Sequence, residues 1–392
     1  VLKHFTSSYL ATKDIHSLCA SYSIDTRKTV LSAYYRAVAA LESRGNTTIP
    51  RQPESALLKA TKSGKASIFA LFGGQGTNEV YFDELQSLYD IYQSYVTPFL
   101  EAVIPDLIGL AEDEVDSSYY THGLDVISWL SGATERPSVT YLASVPLSLP
   151  LIGLTQLIQY LVVCRVTNLT PGQVRSRIAG ATGHSQGILS AVVVSASETF
   201  NDFTENSRKA LRWLFYCGLR GQQAFPPVAV APSLVQDTLN GGEGTPSPML
   251  SVAGLPLKEL EGHIKKTNSH LPANSQLGIS LYNGPRAFVV TGPARALHGL
   301  VTNLRKVKAP SGADQSKVAY SQRKPVFSIR FLVVAVPYHS PYLRGVTDTV
   351  MEEDLDELWE PSDLKIPVYN TETGMSINYP LRIRVVMMGF KI

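Results

Sequence analysis

Charge is scarce in this chain. Asp, Glu, Lys and Arg together make up 17% of its 392 residues, less than an ordinary water-facing surface uses. The net charge of +2 offers no basic excess of the kind that marks a nucleic-acid binder, so no nucleic acid is expected. Cysteine is scarcer still. Cys19, Cys164 and Cys217 are odd in number and nowhere spaced as CxxC, which excludes a disulfide framework and a thiolate metal site. No basic segment followed by an apolar core opens the chain, so a secretory signal is not expected. A cytoplasmic location follows as the expectation, and the sequons at Asn46 and Asn168 are then incidental. Hydrophobic residues reach 44%. Length and composition together predict a sizeable core divided among more than one domain, with part of the surface covered by something else.

One run, Ser138 to Cys164, contains no charged residue at all. Pro146, Pro150, Thr155, Gln156 and Gln159 break it into a turn and a helix of about 14 residues, too short to cross a bilayer. A buried core helix is expected, and no membrane.

What is present centres on Ile178-Ala-Gly-Ala-Thr-Gly-His-Ser-Gln-Gly187, followed by Ile-Leu-Ser-Ala-Val-Val-Val. It reads as a short buried strand, a sharp turn at Ser185 and a helix starting near Gln186. Glycines 183 and 187 suit a tight strand-to-helix turn, where larger side chains would collide. Such an elbow lifts a serine hydroxyl clear of the sheet and aims the first helical amides at an oxygen turning negative beside it. Ser185 is therefore the candidate nucleophile. An ordinary glycine-flanked turn has the same local pattern, so other parts of the chain must decide between the two.

Upstream, residues 1–60 read as a helical N-terminal segment, strongest over Ile24 to Leu41. A linker at Asn46-Thr-Thr-Ile-Pro-Arg-Gln-Pro follows. Ala66 to Phe72 reads as a buried strand ending in Gly73-Gly-Gln-Gly76. That turn is either punctuation or a set of amides presented to a ligand. Downstream of the elbow, Arg208 to Arg220 is an amphipathic helix closed by Pro226-Pro227. Next come a strand (249–252), a helix (258–267), a hairpin (278–282 with 287–291), a helix (293–306) and a strand (328–334). The order β-α-β-β-α-β is that of a ferredoxin-like unit, here inserted between the elbow and Tyr338-His-Ser-Pro341. The basic segment Lys306 to Arg330 is either a solvated loop or a docking surface for a partner.

A serine hydroxyl needs a base. His184 adjoins Ser185 but points away in an elbow, so substrate contact suits it better. His4, His16, His122, His263, His270 and His298 sit in polar or helical contexts and read as surface residues. His339 ends an apolar run, Phe331 to Val336, in a turn between Pro337 and Pro341, and is the candidate base.

Gly73-Gly-Gln-Gly76, Gly183-His-Ser-Gln-Gly187, Ser280-Leu-Tyr-Asn-Gly-Pro285 and Pro337-Tyr-His-Ser-Pro341 together resemble the motifs of acyl-CoA:acyl-carrier-protein transacylases. The run from about residue 60 to 374 resembles the acetyltransferase domain of the fungal fatty acid synthase beta subunit, through the segments starting at Gly73, Pro150-Leu-Ile-Gly and Lys308-Ala-Pro-Ser-Gly312; the N-terminal helices fit the segment preceding that domain. The resemblance implies an α/β fold: a hydrolase-like core with a parallel sheet and nucleophile elbow (61–224 and 337–374), with an inserted ferredoxin-like α+β subdomain (225–336). It further implies that Ser185 takes the acetyl group from acetyl-CoA with His339 as base. The backbone amides of Gln75 and Gln186 would hold the oxyanion, and Cys217, Asn283 and His184 would contact substrate. The phosphopantetheine thiol of acyl carrier protein would be the acceptor. No metal or bound organic cofactor is implied; the other synthase domains and the alpha subunit are the implied partners. Malonyl-transferring relatives carry an arginine where Cys217 stands, so uncharged acyl groups are implied here.

The resemblance stops after Gly374, and residues 375–392 read as an atypical tail without a recognisable strand pattern, as at a truncated or frame-shifted end. Three alternatives stay open. One is a serine hydrolase of another fold, which the inserted subdomain disfavours. Another is a non-catalytic fragment of a synthase beta subunit. The third is starter loading for a synthase that feeds polyketide or other secondary metabolism.

Overall fold

The computed structural model describes residues 2–10, 12–44, 54–76, 78–114, 117–310, 312 and 314–378. The predicted linker at 46–53 and the tail from 379 onward lie outside them. The described chain divides into two compact units. One holds the residues up to Leu142, Leu147–Phe215, and those from Leu355 onward. The other holds Ala143–Pro146 and Tyr216–Asp354.

The first unit opens with helices α1 (Leu2–Ser8), α2 (Ile15–Cys19), α3 (Ile24–Glu42) and α4 (Ala56–Lys62). Side chains of Asp14, Ser23 and Ser55 each accept a backbone N–H at the starts of α2, α3 and α4, which satisfies a donor that helix geometry leaves orphaned. Strand β1 (Ile68–Phe72) then leads to α5 (Tyr81–Asp113), which is kinked at Tyr92 (φ −115°, ψ 26°) and carries Pro98 and Pro105. Leu31, Tyr34, Tyr35 and Val38 line the buried stripe of α3, and Tyr35 packs against Tyr92 and Tyr95 of α5 at ring-centroid distances of 5.1 and 5.9 Å. His16 belongs to this cluster. Its Nε2 lies 2.9 Å from the Tyr35 hydroxyl and 3.4 Å from that of Tyr92, so it is a half-buried packing residue and not the surface histidine expected from its helical context. Burial holds its pKa below the usual histidine value, Asp14 works in the opposite direction, and Arg27 adds to the lowering.

Short helices α6 (Val126–Ser131) and α7 (Val139–Leu142) precede α8 (Val145–Thr167). This helix has 23 residues where a broken helix of about 14 was expected from its prolines. The reason is positional. Pro146 and Pro150 fall within the first two turns, so the absent N–H of Pro150 costs only the bond to the carbonyl of residue 146 and the helix continues. Two helices, α5 and α8, are long and apolar enough to cross a membrane; the apolar window of α8 is 89% buried within the fold, as a core helix is.

After α9 (Pro171–Arg175) comes β2 (Ile178–Gly183), then α10 (Gly187–Ala196) and α11 (Phe200–Ala224). The capping box at the start of α9, Thr170 with Gln173, is complete. Arg175, almost fully buried, donates to the carbonyls of Ser195 and Ser197 and pairs with Glu198, so the far end of α10 is tied to the entry of β2.

The second unit contains α12 (Pro232–Asn240), β3 (Met249–Ala253), α13 (Leu257–Asn268), β4 (Gly278–Gly284), β5 (Ala287–Thr291), α14 (Ala294–Val307) and β6 (Ser328–Phe331). Its antiparallel sheet has the order β4-β5-β3-β6, the ferredoxin-like arrangement expected from the βαββαβ order. Leu250, Val252, Phe288, Val290, Ile329 and Phe331 point from the sheet into one core with Leu260, Leu297, Leu300 and Leu304 of the two helices. The last strand ends at Phe331, three residues short of the expected Val334.

Among the described residues, β7 (Val368–Tyr369) completes the first unit's parallel sheet in the order β1-β2-β7. Beyond Gly374 the chain does not leave at once. Ser376 bridges back to Tyr369, the Ile377 amide donates to the Val368 carbonyl at 2.8 Å, and Ile377 is buried. The opening residues of the segment expected to be an unrelated tail therefore pair with β7.

All three cysteines are buried and unpaired with one another. Burial pushes the Cys164 thiol up to about 12, which removes the reactive thiolate at ordinary pH. A disulfide-exchange reagent at pH 8 should leave Cys164 unlabelled in the native protein and modify it only after denaturation. Labelling on the time scale of an exposed thiol would show that α8 does not hold this burial.

Candidate active site

The elbow is built by close approach of backbones. A Cβ on Gly183 would sit 2.0 Å from the carbonyl carbon of Gly187, and one on Gly187 would sit 2.5 Å from the carbonyl oxygens of Phe72 and Gly73. No side chain fits either gap. These two absences let β2 fold straight into α10, and they seat α10 on the end of β1. Ser185 takes up the turn with φ of 52°. A left-handed serine costs on the order of 1–2 kcal/mol, and such strain persists where the surrounding structure over-determines it. Ser185 itself is partly exposed, while Gln186 beside it is buried at 1%. Every residue of α10 from Gly187 to Ser195 is buried, so the helix has no freedom to relax the turn.

The loop Gly73–Gly76 lies against this elbow. A Cβ on Gly74 would meet His184 Nδ1 at 2.9 Å, the His184 carbonyl at 3.0 Å and Ser185 Cβ at 3.3 Å. The His184 amide in turn donates to the Phe72 carbonyl at 2.8 Å. His184 therefore packs against the glycine loop. Side chains peg the loop from α8: Gln156 donates to the Gly73 carbonyl (2.8 Å) and accepts from Ser190 of α10 (2.8 Å), and Gln75 donates to the Ser148 hydroxyl (3.1 Å). The Gln186 side chain reaches the Leu149 carbonyl at 3.4 Å. Gln156, read from sequence as an interruption of an apolar run, and Ser148 are the parts of α8 that position the loop. Glutamine at a helical position gave no sign of this, because its partners lie 34 to 83 positions away in sequence.

The backbone N–H groups of Gln75 and Gln186 have no backbone acceptor among the described residues. Ser185, His184, Gln75 and Gln186 thus come together in the first unit, with two amides unspent beside a strained serine.

Cys217, Asn283 and His339 belong to the second unit. His339 has φ of 59°; with Ser185 and Asn168 it is one of three non-glycine residues at positive φ among those described. Its turn is anchored on both sides. The Tyr338 hydroxyl donates to the Cys217 carbonyl at 3.1 Å, and a Cβ on Gly221, one helical turn further along α11, would sit 2.9 Å from that hydroxyl. On the other side Ser340 Oγ donates to the Pro337 carbonyl at 2.5 Å. Val336, Tyr338 and Ser340 are buried while His339 is partly exposed, so the turn fixes the backbone and presents the imidazole.

Cys217 is buried, with 6% exposure. Arg220 on the same helix is committed elsewhere: its guanidinium donates in two-point fashion to Asp354 (2.9 and 2.6 Å) and to Gln223 (2.9 Å). Asn283 is exposed on β4, the edge strand, at an irregularity in the β4–β5 register between Tyr282 and Gly284. Bulges of this kind re-aim side chains. No group of three or more His, Cys, Asp or Glu is placed to hold a metal ion among the described residues.

A parallel sheet with a serine elbow, accompanied by a ferredoxin-like unit, defines an α/β-hydrolase-like class of protein. The chain belongs to the family of starter unit:ACP transacylases, described from aflatoxin biosynthesis, whose pattern matches residues 70–325. Residues 1–41 match the N-terminal domain in fatty acid synthase subunit beta. Over 96% of its length the chain is similar to the fatty acid synthase subunit beta of Schizosaccharomyces pombe, at 43% identity, and to that of Saccharomyces cerevisiae, at 38%; it spans only 18% and 19% of those proteins. The fold is shared with a malonyl-transacylase solved in complex with the acyl-carrier protein of a type II polyketide synthase: 16% identity, TM-score 0.52, covering 83% of this chain and 81% of that one.

Gly74→Ala should disturb the loop and elbow together, lowering the unfolding midpoint measurably, because its Cβ meets backbone and ring atoms near 3 Å. Gly76→Ala meets nothing within 4 Å and should leave the midpoint where it is. Equal behaviour of the two variants in urea unfolding would refute the close approach.

Proposed function

We propose that this chain loads a starter acyl group: it takes acetyl from acetyl-CoA onto Ser185 and passes it to the phosphopantetheine thiol of an acyl carrier protein. The observation that carries the reading is the elbow itself, a serine at φ 52° between two obligatory glycines with two unspent amides beside it. Membership in a transacylase family supports the same chemistry.

In the forward half, Ser185 Oγ attacks the thioester carbonyl carbon while its proton passes to the imidazole of His339. Negative charge gathers on the carbonyl oxygen, where the amides of Gln75 and Gln186 would stabilise it; a donor so placed contributes about 3–4 kcal/mol in typical enzymes. Collapse breaks the carbon–sulfur bond, and the CoA thiolate leaves with the proton held by His339. In the second half the carrier's thiol gives its proton to His339 and attacks the acetyl-serine ester, which restores Ser185. His184 shapes the site beside the glycine loop, and Asn283 contributes to substrate binding.

Cys217 supports an uncharged acyl group. A malonyl carboxylate buried beside a thiol would lack a cationic partner, at a cost of several kcal/mol. Arg220 is spent on Asp354, which supports the same preference.

Radiolabelled acetyl-CoA should leave a stoichiometric ester on Ser185 that Ser185→Ala abolishes; label retained elsewhere in that variant would overturn the nucleophile. His339→Ala should slow acylation by about 10²–10⁴-fold. An unimpaired rate would move the base elsewhere. Malonyl-CoA should load poorly onto the wild type and detectably onto Cys217→Arg, with acetyl loading reduced; equal loading of both donors by the wild type would refute this account of selectivity.

A further inference from the structure

The glycine loop after β1 does not hold its own shape. Gly73, Gly74 and Gly76 give its backbone a wide choice of angles, and a single backbone bond lies within it, from the Gly76 amide to the Gly74 carbonyl (2.8 Å). The Gly73 carbonyl accepts no backbone N–H among the described residues. It is nonetheless packed in, since a Cβ on Gly187 of α10 would stand 2.5 Å from its oxygen. A carbonyl confined in this way without a donor is unfavourable, so the peptide would turn until it found one.

Gln156 of α8 supplies that donor. Its Nε2 donates to the Gly73 carbonyl at 2.8 Å, and its Oε1 accepts from Ser190 Oγ at 2.8 Å. This orientation is forced, because the carbonyl oxygen can only accept and must face the amide nitrogen. Ser190 is buried on α10, three residues after Gly187. The bonds from Ser190 to Gln156 to Gly73 therefore tie the loop to the helix that begins at the serine turn. Eight residues earlier on α8, Ser148 accepts from the Gln75 side chain (3.1 Å), which gives the loop a second fixed point. Between the two points lies Gly74, whose Cβ would meet Ser185 Cβ at 3.3 Å.

We propose that Gln156 is a positioning residue of the transfer reaction. Oriented by Ser190, it fixes the plane of the Gly73–Gly74 peptide and through it the direction of the Gln75 amide; the proposal rests on the reading of that amide as an oxyanion donor. Such a donor stabilises developing charge only when it is aimed at the place where the charge appears. Gln159, the next glutamine along α8, donates to Glu84 instead and holds no part of the loop.

Gln156→Met keeps the length of the side chain and removes both bonds. Gln156→Glu keeps an acceptor for Ser190 but, once ionised, has no donor for the Gly73 carbonyl. Both should slow single-turnover acetylation of Ser185 by about 10–100-fold, with the half-saturating concentration of acetyl-CoA unchanged. Ser190→Ala should cost less, and adding it to Gln156→Met should cost nothing further, because both residues serve one chain of bonds. Gln159→Met should acetylate at the wild-type rate. Hydrogen exchange reads the loop without any chemistry: the Gly76 amide should lose protection in both Gln156 variants, while the His184 amide, bonded to the Phe72 carbonyl, keeps it. Wild-type acetylation by both Gln156 variants, a loss carried entirely by weaker acetyl-CoA binding, additive losses in the double variant or undiminished Gly76 protection would overturn the positioning. A wild type that never forms acetyl-Ser185, with Gly76 protection still lost in the variants, would instead overturn the proposed transfer and leave the positioning of the loop standing.

Discussion

Gly183 approaches Gly187 so closely that the two backbones occupy the space of a missing side chain. From that contact the geometry of the serine follows. It forces β2 to turn into α10 within three residues, holds Ser185 in the left-handed region and leaves the Gln186 amide without a backbone acceptor among the described residues. The strain is retained because α10 is buried along nearly its whole length and is tied at its far end, where Ser195 exchanges hydrogen bonds with the Ile366 carbonyl and amide. A stiff, fully packed helix transmits the demands of the core to the turn. The resulting elbow is held in one geometry by the packing around it.

The second unit solves a similar problem by other means. His339 also sits at positive φ, but no glycine pair imposes it. Tyr338 acts as a peg, lying along α11 where Gly221 leaves room and the Cys217 carbonyl receives its hydroxyl. The Arg220–Asp354 pair fastens the same stretch of α11 to the chain beyond the histidine turn. Asp354 is buried, and a paired buried charge holds geometry more firmly than an exposed pair does. One short length of α11 thus carries both Cys217 and the contacts that place the histidine turn.

Much of this was legible in the order of residues. The elbow, the glycine loop and the βαββαβ order each announce themselves because their signals are local. Glycine spacing reports a backbone approach, and strand and helix lengths report one repeating unit. The reading erred where the decisive partner is distant. His16 has an ordinary helical neighbourhood, and Tyr35 of α3 and Tyr92 of α5, 19 and 76 residues away, make it a packed residue. Pro150 looked like a helix breaker because its cost depends on which turn of the helix it occupies. Gln156 looked like a polar interruption because the carbonyl it holds is contributed by another strand end. The residues just past Gly374 looked foreign, yet a hydrogen bond to Val368 requires only a free backbone and no particular side chain.

The chain's sequence by itself determined the two architectures and the turns at Ser185 and His339, because those depend on short-range steric rules that glycine, proline and apolar periodicity express directly. Tertiary structure alone decided which amides remain unspent and which arginine is neutralised. Those are properties of how distant segments satisfy one another's charges and hydrogen bonds, and no local pattern encodes the outcome of that competition.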